Sequence, residues 1–234
     1  MKFGIIGAGG MGTTLARHIA RLGHEVVIAS ARGAERLAAL ANELDATAVS
    51  IAEACKARDL VILAIPTRAI SELPPALFAD TPSGAVVIDV GNYHPELRDG
   101  RIDAIDTGLL DSQWVARQIG HPVIKAFNTI LADSLLKRGA AKGSAGRVAL
   151  PVAGDSLEAR AIVLRLVDEL GFDPVDAGAL ADSWRQGTGT PAYCKDLDAP
   201  ALQRALAEAD RSRVAEYRAN EEARIRRVLA ARSS

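Results

Sequence analysis

The sequence predicts a doubly wound α/β fold: a parallel sheet covered by helices on both faces, followed by a mainly helical C-terminal extension. Three observations carry this. Short apolar runs alternate with stretches of helical periodicity from the first residues to about Asp182. The first run, Phe3-Gly4-Ile5-Ile6, breaks at once into Gly7-Ala8-Gly9-Gly10-Met11-Gly12. Beyond Asp182 the chain turns irregular, then charged and helical in composition. These features divide it into residues 1–182 and an extension over 183–234.

A buried strand that breaks into G-x-G-x-x-G and then opens a helix suits a dinucleotide pyrophosphate. Gly7 permits the sharp turn, Gly9 carries no Cβ to hold phosphates away, and Gly12 lets the helix pack against the strand. The helix start directs free N–H groups and its positive dipole end at the anion. Met11, Leu15, Ile19 and Leu22 then fall on one helical face, and Glu25 to Ser30 reads as the second strand. This is the order of a Rossmann unit. An NAD-binding unit ends its second strand with an acid that accepts from the adenosine ribose hydroxyls. Here the chain reads Ala29-Ser30-Ala31-Arg32-Gly33, with no acid before Glu35. A carboxylate would repel a 2′-phosphate, whereas a hydroxyl and a guanidinium bind one, so Ser30 and Arg32 favour NADP(H).

The alternation continues. Ala34–Leu44 and Ser50–Ala57 read as helices, and Asp59–Ile65 as a buried strand halted by Pro66. Thr67–Leu73 allows a turn or two of helix before Pro74-Pro75. Ala85–Asp89 and Pro122–Phe127 are further strands, with Asn128-Thr129 leading into a helix through Leu136. Lys142–Gly146 reads as a flexible surface loop. Arg147–Ala153 is a late strand that Pro151 places near a sheet edge. Asp155 and Glu158 have capping-box spacing ahead of a helix ending at Gly171, and Phe172–Asp176 is a short last strand of the same sheet. In the extension, Leu202, Leu206, Val214, Tyr217, Ile225, Val228 and Leu229 form a thin apolar stripe between charged faces, with pairs such as Glu222–Arg226.

Composition narrows the class. With 234 residues and 49% hydrophobic content the chain can bury a substantial core. A formal net charge of −1 gives no global field for nucleic acid or an anionic membrane. Cys55 and Cys194, far apart in sequence, fit a reducing compartment without a disulfide frame or a zinc site. Neither a signal peptide nor a bilayer-length apolar stretch is present, so a soluble cytoplasmic protein is expected.

Several separated segments resemble one family, the NADP-dependent reductases of the deazaflavin coenzyme F-420. The cytosolic reductase domain of the six-transmembrane epithelial antigen ferric reductases is similar in the same places. The resemblance runs from Met1 to about Asp182. It rests on the glycine turn, Ser30 and Arg32, Ile65-Pro66, Val123–Thr129, Pro151–Asp155 and Pro174–Gly178. It implies direct hydride exchange between the nicotinamide and a second flat cofactor, coenzyme F-420 or a flavin. Carried over, Gly9, Gly10 and Met11 meet the pyrophosphate, and Ser30 and Arg32 the 2′-phosphate. Ile65 and Pro66 pack beside the nicotinamide, and Phe127, Asn128 and Thr129 line the far side of the pocket. This chain has the single basic residue Arg32 where archaeal members place adjacent arginines, and its tail beyond Asp182 is longer than theirs.

Hydride transfer between stacked rings needs geometry and water exclusion more than acid–base groups. Two side chains at strand carboxyl ends are candidate catalytic residues. His94 follows Asn92-Tyr93 in such a loop, where doubly wound sheets bind ligands; a functional and a structural role both stand. Asn128 can orient a carboxamide or a flavin edge, or cap the following helix. Trp184 and Tyr193 bracket a glycine-rich stretch and suit a lid or a loop anchor. No metal ligand set and no Ser-His-Asp arrangement stands out. Two other readings stay open: an NADPH-dependent carbonyl or imine reductase, and an NADP(H)-binding sensor without turnover. The expected partners are a small-molecule or cofactor acceptor and a second copy of the chain in a homodimer.

Overall fold

The computed structural model describes residues 1–56, 58–79, 81–82 and 84–232. Six short strands form one parallel sheet: β1 (Lys2–Ile6), β2 (Glu25–Ala29), β3 (Thr47–Ala48), β4 (Leu60–Leu63), β5 (Val86–Asp89) and β6 (Val123–Lys125). Their spatial order is β3-β2-β1-β4-β5-β6. The register aligns Ile5 with Ile28 and Ile62, and Asp89 with Lys125. Alternate residues serve opposite faces, which is why the strands read as continuous apolar runs. Ile5, Ile28, Ile62 and Ile88 join the core on one face, and Val27, Val61, Leu63 and Val87 the core on the other.

Helices cover both faces. α1 (Gly10–Arg21) sends Leu15 and Ile19 into the first core, and α2 (Ala34–Glu43) adds Ala41. α3 (Ile51–Cys55) packs Ala54 on the second. Ser50 heads α3 with a complete capping box to Glu53; the expected end of this helix at Ala57 lies outside the described residues. α4 (Thr67–Ile70), α5 (Asp103–Asp106) and α6 (Asp111–Ile119) line the second face, α6 through Trp114, Val115 and Ile119. α7 (Ala132–Lys137) and α8 (Leu157–Glu169) return to the first. β3, α5, α6 and a π-helical turn over Pro95–Asp99 were not expected from the sequence. They are short, and periodicity needs length to register.

Four expectations are corrected. Leu22 is not on the buried face of α1: it caps the helix and is 42% exposed. Asn128 does not lead directly into a helix; α7 begins at Ala132 with Leu131 as N-cap. Asp155 and Glu158 make no capping box. Ser156 is the N-cap of α8 and accepts from the Ala159 N–H, while Asp155 accepts from the Leu180 N–H. Finally, β7 (Ala149–Val152) and β8 (Asp173–Asp176) do not extend the six-stranded sheet but form a separate parallel pair. One antiparallel bridge, Lys125 with Ala153, joins the two sheets. The reason is Pro151. The N–H groups of Ala149 and Ala153 leave β7 on the side away from β8, to Leu197 and Lys125. Pro151 lies between them on that side and has no N–H to donate.

The segment after β8 lies against this framework. A 3-10 stretch over Leu180–Gln186 leads to α9 (Ala199–Glu208), capped by Asp198. Leu202, Ala205 and Leu206 of α9 pack on Ala149 and Val175 of the strand pair. α10 (Val214–Arg232) follows; Ser233 and Ser234 of the predicted extension lie outside the described residues. Among the described residues no helix is long and apolar enough to cross a membrane.

Candidate functional site

The carboxyl ends of β1, β2, β4, β5 and β6 converge on one edge, and the predicted cofactor residues gather there. At the turn after β1 the glycines divide the work. Gly7 has φ +121°, and a Cβ on it would stand 2.2 Å from the Ala64 carbonyl oxygen. A Cβ on Gly12 would stand 2.0 Å from the Gly7 carbonyl oxygen. Both positions are fixed by close packing of turn, helix and β4. Gly9 is different: a Cβ there meets nothing within 4 Å, and the residue is exposed. The fold leaves that space open and does not itself demand a glycine there. α1 starts at this point with no side-chain cap and no acidic residue in its first turn. The N–H groups of Gly10, Met11 and Gly12 have no intrahelical partner by construction, which favours an anion. A dinucleotide pyrophosphate fits this cradle.

Ser30 and Arg32 follow β2. Ser30 Oγ accepts from the Arg32 N–H at 3.2 Å, and the Gly33 N–H closes the turn on the Ser30 carbonyl. Arg32 is exposed and pairs with no acid among the described residues. Ile65 is half-buried and Pro66 exposed after β4, beside Gly91 after β5. Phe127, Asn128 and Thr129 follow β6, all buried. Phe127 is held at φ +62°, a backbone conformation uncommon for a bulky residue, with its ring in the core. A cavity of about 550 Å³ lies at the amino ends of β5 and β6, away from this edge, and is lined by Val86, Val123 and Ala159.

The sequence reading missed the buried polar network that holds the edge. Lys125 is 1% exposed, and its Nζ donates to Asp89 Oδ2 (3.0 Å), the Gly91 carbonyl (2.6 Å) and Asp111 Oδ2 (3.3 Å). Burial alone would lower the pKa of this ammonium, but Asp111 and Asp89 outweigh it and hold the group protonated. Asp89 also accepts from the Ser112 hydroxyl and the Gly91 N–H. Lys125 was legible only as part of Lys-Ala-Phe-Asn, because no local pattern marks a buried lysine.

Asn128 is not a helix cap. Its Nδ2 donates to Asn92 Oδ1 (3.1 Å) and the Gln186 carbonyl (2.7 Å), and its Oδ1 accepts from Gln186 Nε2 (2.9 Å). Thr129 carries a buried hydroxyl with no partner among the described residues. His94 is 9% exposed, with Nε2 3.5 Å from the Tyr193 hydroxyl and Nδ1 3.9 Å from Glu222 Oε1. Burial first, then Arg98, lower its pKa to about 4. The imidazole is neutral near pH 7 and enclosed. Tyr193 therefore faces His94, whereas Trp184 lines a separate cavity of about 150 Å³ with Tyr93, Thr188, Arg211 and Arg218. The expected Glu222–Arg226 pair is corrected as well. Glu222 is buried and accepts from the Glu96 N–H, while Arg226 reaches the Glu96 carbonyl. Among the described residues no cluster of His, Cys, Asp or Glu has the makings of a metal site.

Known proteins resemble this chain in sequence and fold. Residues 2–93 match the family described as NADP oxidoreductase, coenzyme F-420-dependent. A solved structure of a hypothetical protein from Sinorhizobium meliloti is 30% identical, with a TM-score of 0.72 over 84% of this chain and 95% of that one. A candidate F-420-dependent NADP reductase from Arthrobacter sp. FB24 shares the fold at 24% identity and a TM-score of 0.62, covering 78% of this chain and 87% of that one. The metalloreductase STEAP3 of Rattus norvegicus is 30% identical over 183 residues, 78% of this chain and 35% of that protein. The chain spans less than half the length of the curated relatives it matches. The glycine turn and strands β1 to β5 fall within the segment, residues 2–93, that matches the coenzyme F-420-dependent NADP oxidoreductase family.

Proposed function

We propose that this protein binds NADP(H) and transfers hydride between the nicotinamide and a second flat acceptor stacked against it, the deazaflavin coenzyme F-420 or a flavin. The observation that carries the reading is the open cradle above Gly9, with Ser30 and unpaired Arg32 at the end of β2. The α1 start holds the pyrophosphate through the N–H groups of Gly10 and Met11. Arg32 meets the 2′-phosphate, and Ser30 shapes the turn that presents it. Ile65 and Pro66 border the nicotinamide, and the Asn128–Thr129 backbone closes the opposite wall. When bound, the nicotinamide supplies the hydride.

The remaining residues orient and exclude water. Phe127 and Asn128 are enclosed, so they act by fixing the end of β6. His94, neutral and bracketed by Tyr193 and Glu222, holds the loop after β5 and releases no proton near pH 7. His94 is therefore not the proton donor that carbonyl or imine reduction would need beside its substrate. A homodimer and a cytoplasmic setting belong to the same reading: Val228 of α10 stays exposed, and Cys55 and Cys194 are unpaired.

The test is NADPH oxidation by purified protein with coenzyme F-420, FMN, FAD and riboflavin in turn. Turnover with one acceptor supports the proposal. Tight NADPH binding without turnover identifies a sensor, and reduction of a carbonyl or imine in their place refutes the stacked-ring mechanism.

A further inference from the structure

Gln186 is fully buried, yet it lies beyond the last strand, far in sequence from the glycine turn. Its side chain and its backbone both engage Asn128. Gln186 Nε2 donates to Asn128 Oδ1 at 2.9 Å, and Asn128 Nδ2 returns a bond of 2.7 Å to the Gln186 carbonyl. The same Nδ2 donates to Asn92 Oδ1, and Asn92 Nδ2 donates to the Asn128 carbonyl at 2.9 Å. Gln186 Nε2 also stands 3.5 Å from the Lys125 carbonyl. The loops after β5 and β6 are thus clamped to each other and to the C-terminal segment through three amide side chains. Thr188 Oγ1 to the Tyr93 carbonyl and the Cys194 N–H to the Thr129 carbonyl reinforce the join.

The clamp has one permitted orientation. Asn128 Nδ2 faces two acceptors, so Oδ1 must face a donor, and Gln186 Nε2 is the side-chain donor that reaches it. In a site this buried an amide deprived of that donor is strongly penalised and turns or shifts. The chain would then move at Asn92 and Asn128, the two points where the loops flanking the proposed nicotinamide site are tied.

We propose that Gln186 is a positioning residue for hydride transfer: its reciprocal amide pair with Asn128 fixes the spacing of the loops after β5 and β6 between which the two rings stack. It acts through Asn128 and touches neither ring. The inference rests on the functional reading above.

Two variants test it, Gln186→Leu and Gln186→Glu, each assayed with NADPH and coenzyme F-420, and in parallel with FMN. Gln186→Leu lacks the donor at every pH, so kcat falls about 10- to 100-fold. NADPH affinity measured by calorimetry is unchanged, since the glycine turn and Arg32 are untouched. Gln186→Glu restores the donor only when its carboxyl is protonated, and burial raises the pKa of that group. Its kcat therefore recovers as pH falls from about 8 to about 5.5, relative to wild type at each pH. Circular dichroism and Tm accompany each assay, and the Glu variant decides the matter should the Leu variant fail to fold. Wild-type kcat in Gln186→Leu, or a Glu variant equally impaired at every pH, overturns the proposal. A wild-type protein that itself oxidises no NADPH with either acceptor overturns the functional reading, and this inference with it.

Discussion

Replacing Lys125 with methionine keeps the aliphatic stem of the side chain, one atom shorter, and removes its charge. In the native protein three oxygens converge on Nζ within 3.3 Å, two of them carboxylates on Asp89 and Asp111. Asp89 is 3% exposed, so water cannot replace the lost ammonium. What remains is a buried carboxylate with, among the described residues, the Ser112 hydroxyl and the Gly91 N–H as donors, facing a second carboxylate. Breaking one side of such a buried pair costs about 3–5 kcal/mol. For a chain of this size that lowers Tm by roughly 6–20 °C. Calorimetric unfolding of Lys125→Met at neutral pH measures it. The pH dependence adds a sign. Without the lysine the two carboxylates repel each other across the site it occupied, so neutralising either one lowers the cost. Protonation then relieves the variant, and its deficit against wild type narrows as pH falls below neutral. A Tm within about 2 °C of wild type, or a deficit that widens on acidification, would refute the reasoning.

Four other outcomes follow from the same geometry. Arg32→Ala weakens NADP(H) binding by about 1.5–3 kcal/mol in calorimetry and leaves NAD(H) nearly unchanged; equal losses for both dinucleotides would remove the 2′-phosphate assignment. Gly9→Val keeps the wild-type Tm but loses dinucleotide binding, whereas Gly12→Val fails to fold normally because its Cβ strikes the Gly7 carbonyl; binding retained in Gly9→Val would rule out the cradle. His94 has a folded pKa of about 4 against about 6.5 unfolded, so the unfolded chain binds the extra proton between those values. Its contribution, on the order of 3 kcal/mol, is complete above about pH 6.5 and lost as pH falls toward 4; a His94→Gln protein with the same acid profile as wild type would contradict this.

The sequence by itself determined the parts that depend on local geometry. Gly7 and Gly12 are required by a backbone that packs within contact distance of itself, and the buried strands show in their unbroken apolar runs. Each signal spans only a few neighbouring residues and survives in one dimension. The tertiary structure decided the rest. It divided the glycines, giving Gly7 and Gly12 to packing and leaving Gly9 open for a ligand. It detached β7 and β8 from the main sheet, since Pro151 reveals an edge but not which strand it leaves unpaired. It turned His94 and Asn128 from free candidates into enclosed groups, and it supplied Gln186, Lys125 and Glu222, whose hydrogen-bond partners lie 14 to 126 residues away. Buried polar groups must be satisfied wherever the chain brings a partner, and that partner's position is fixed only when strands and helices pack.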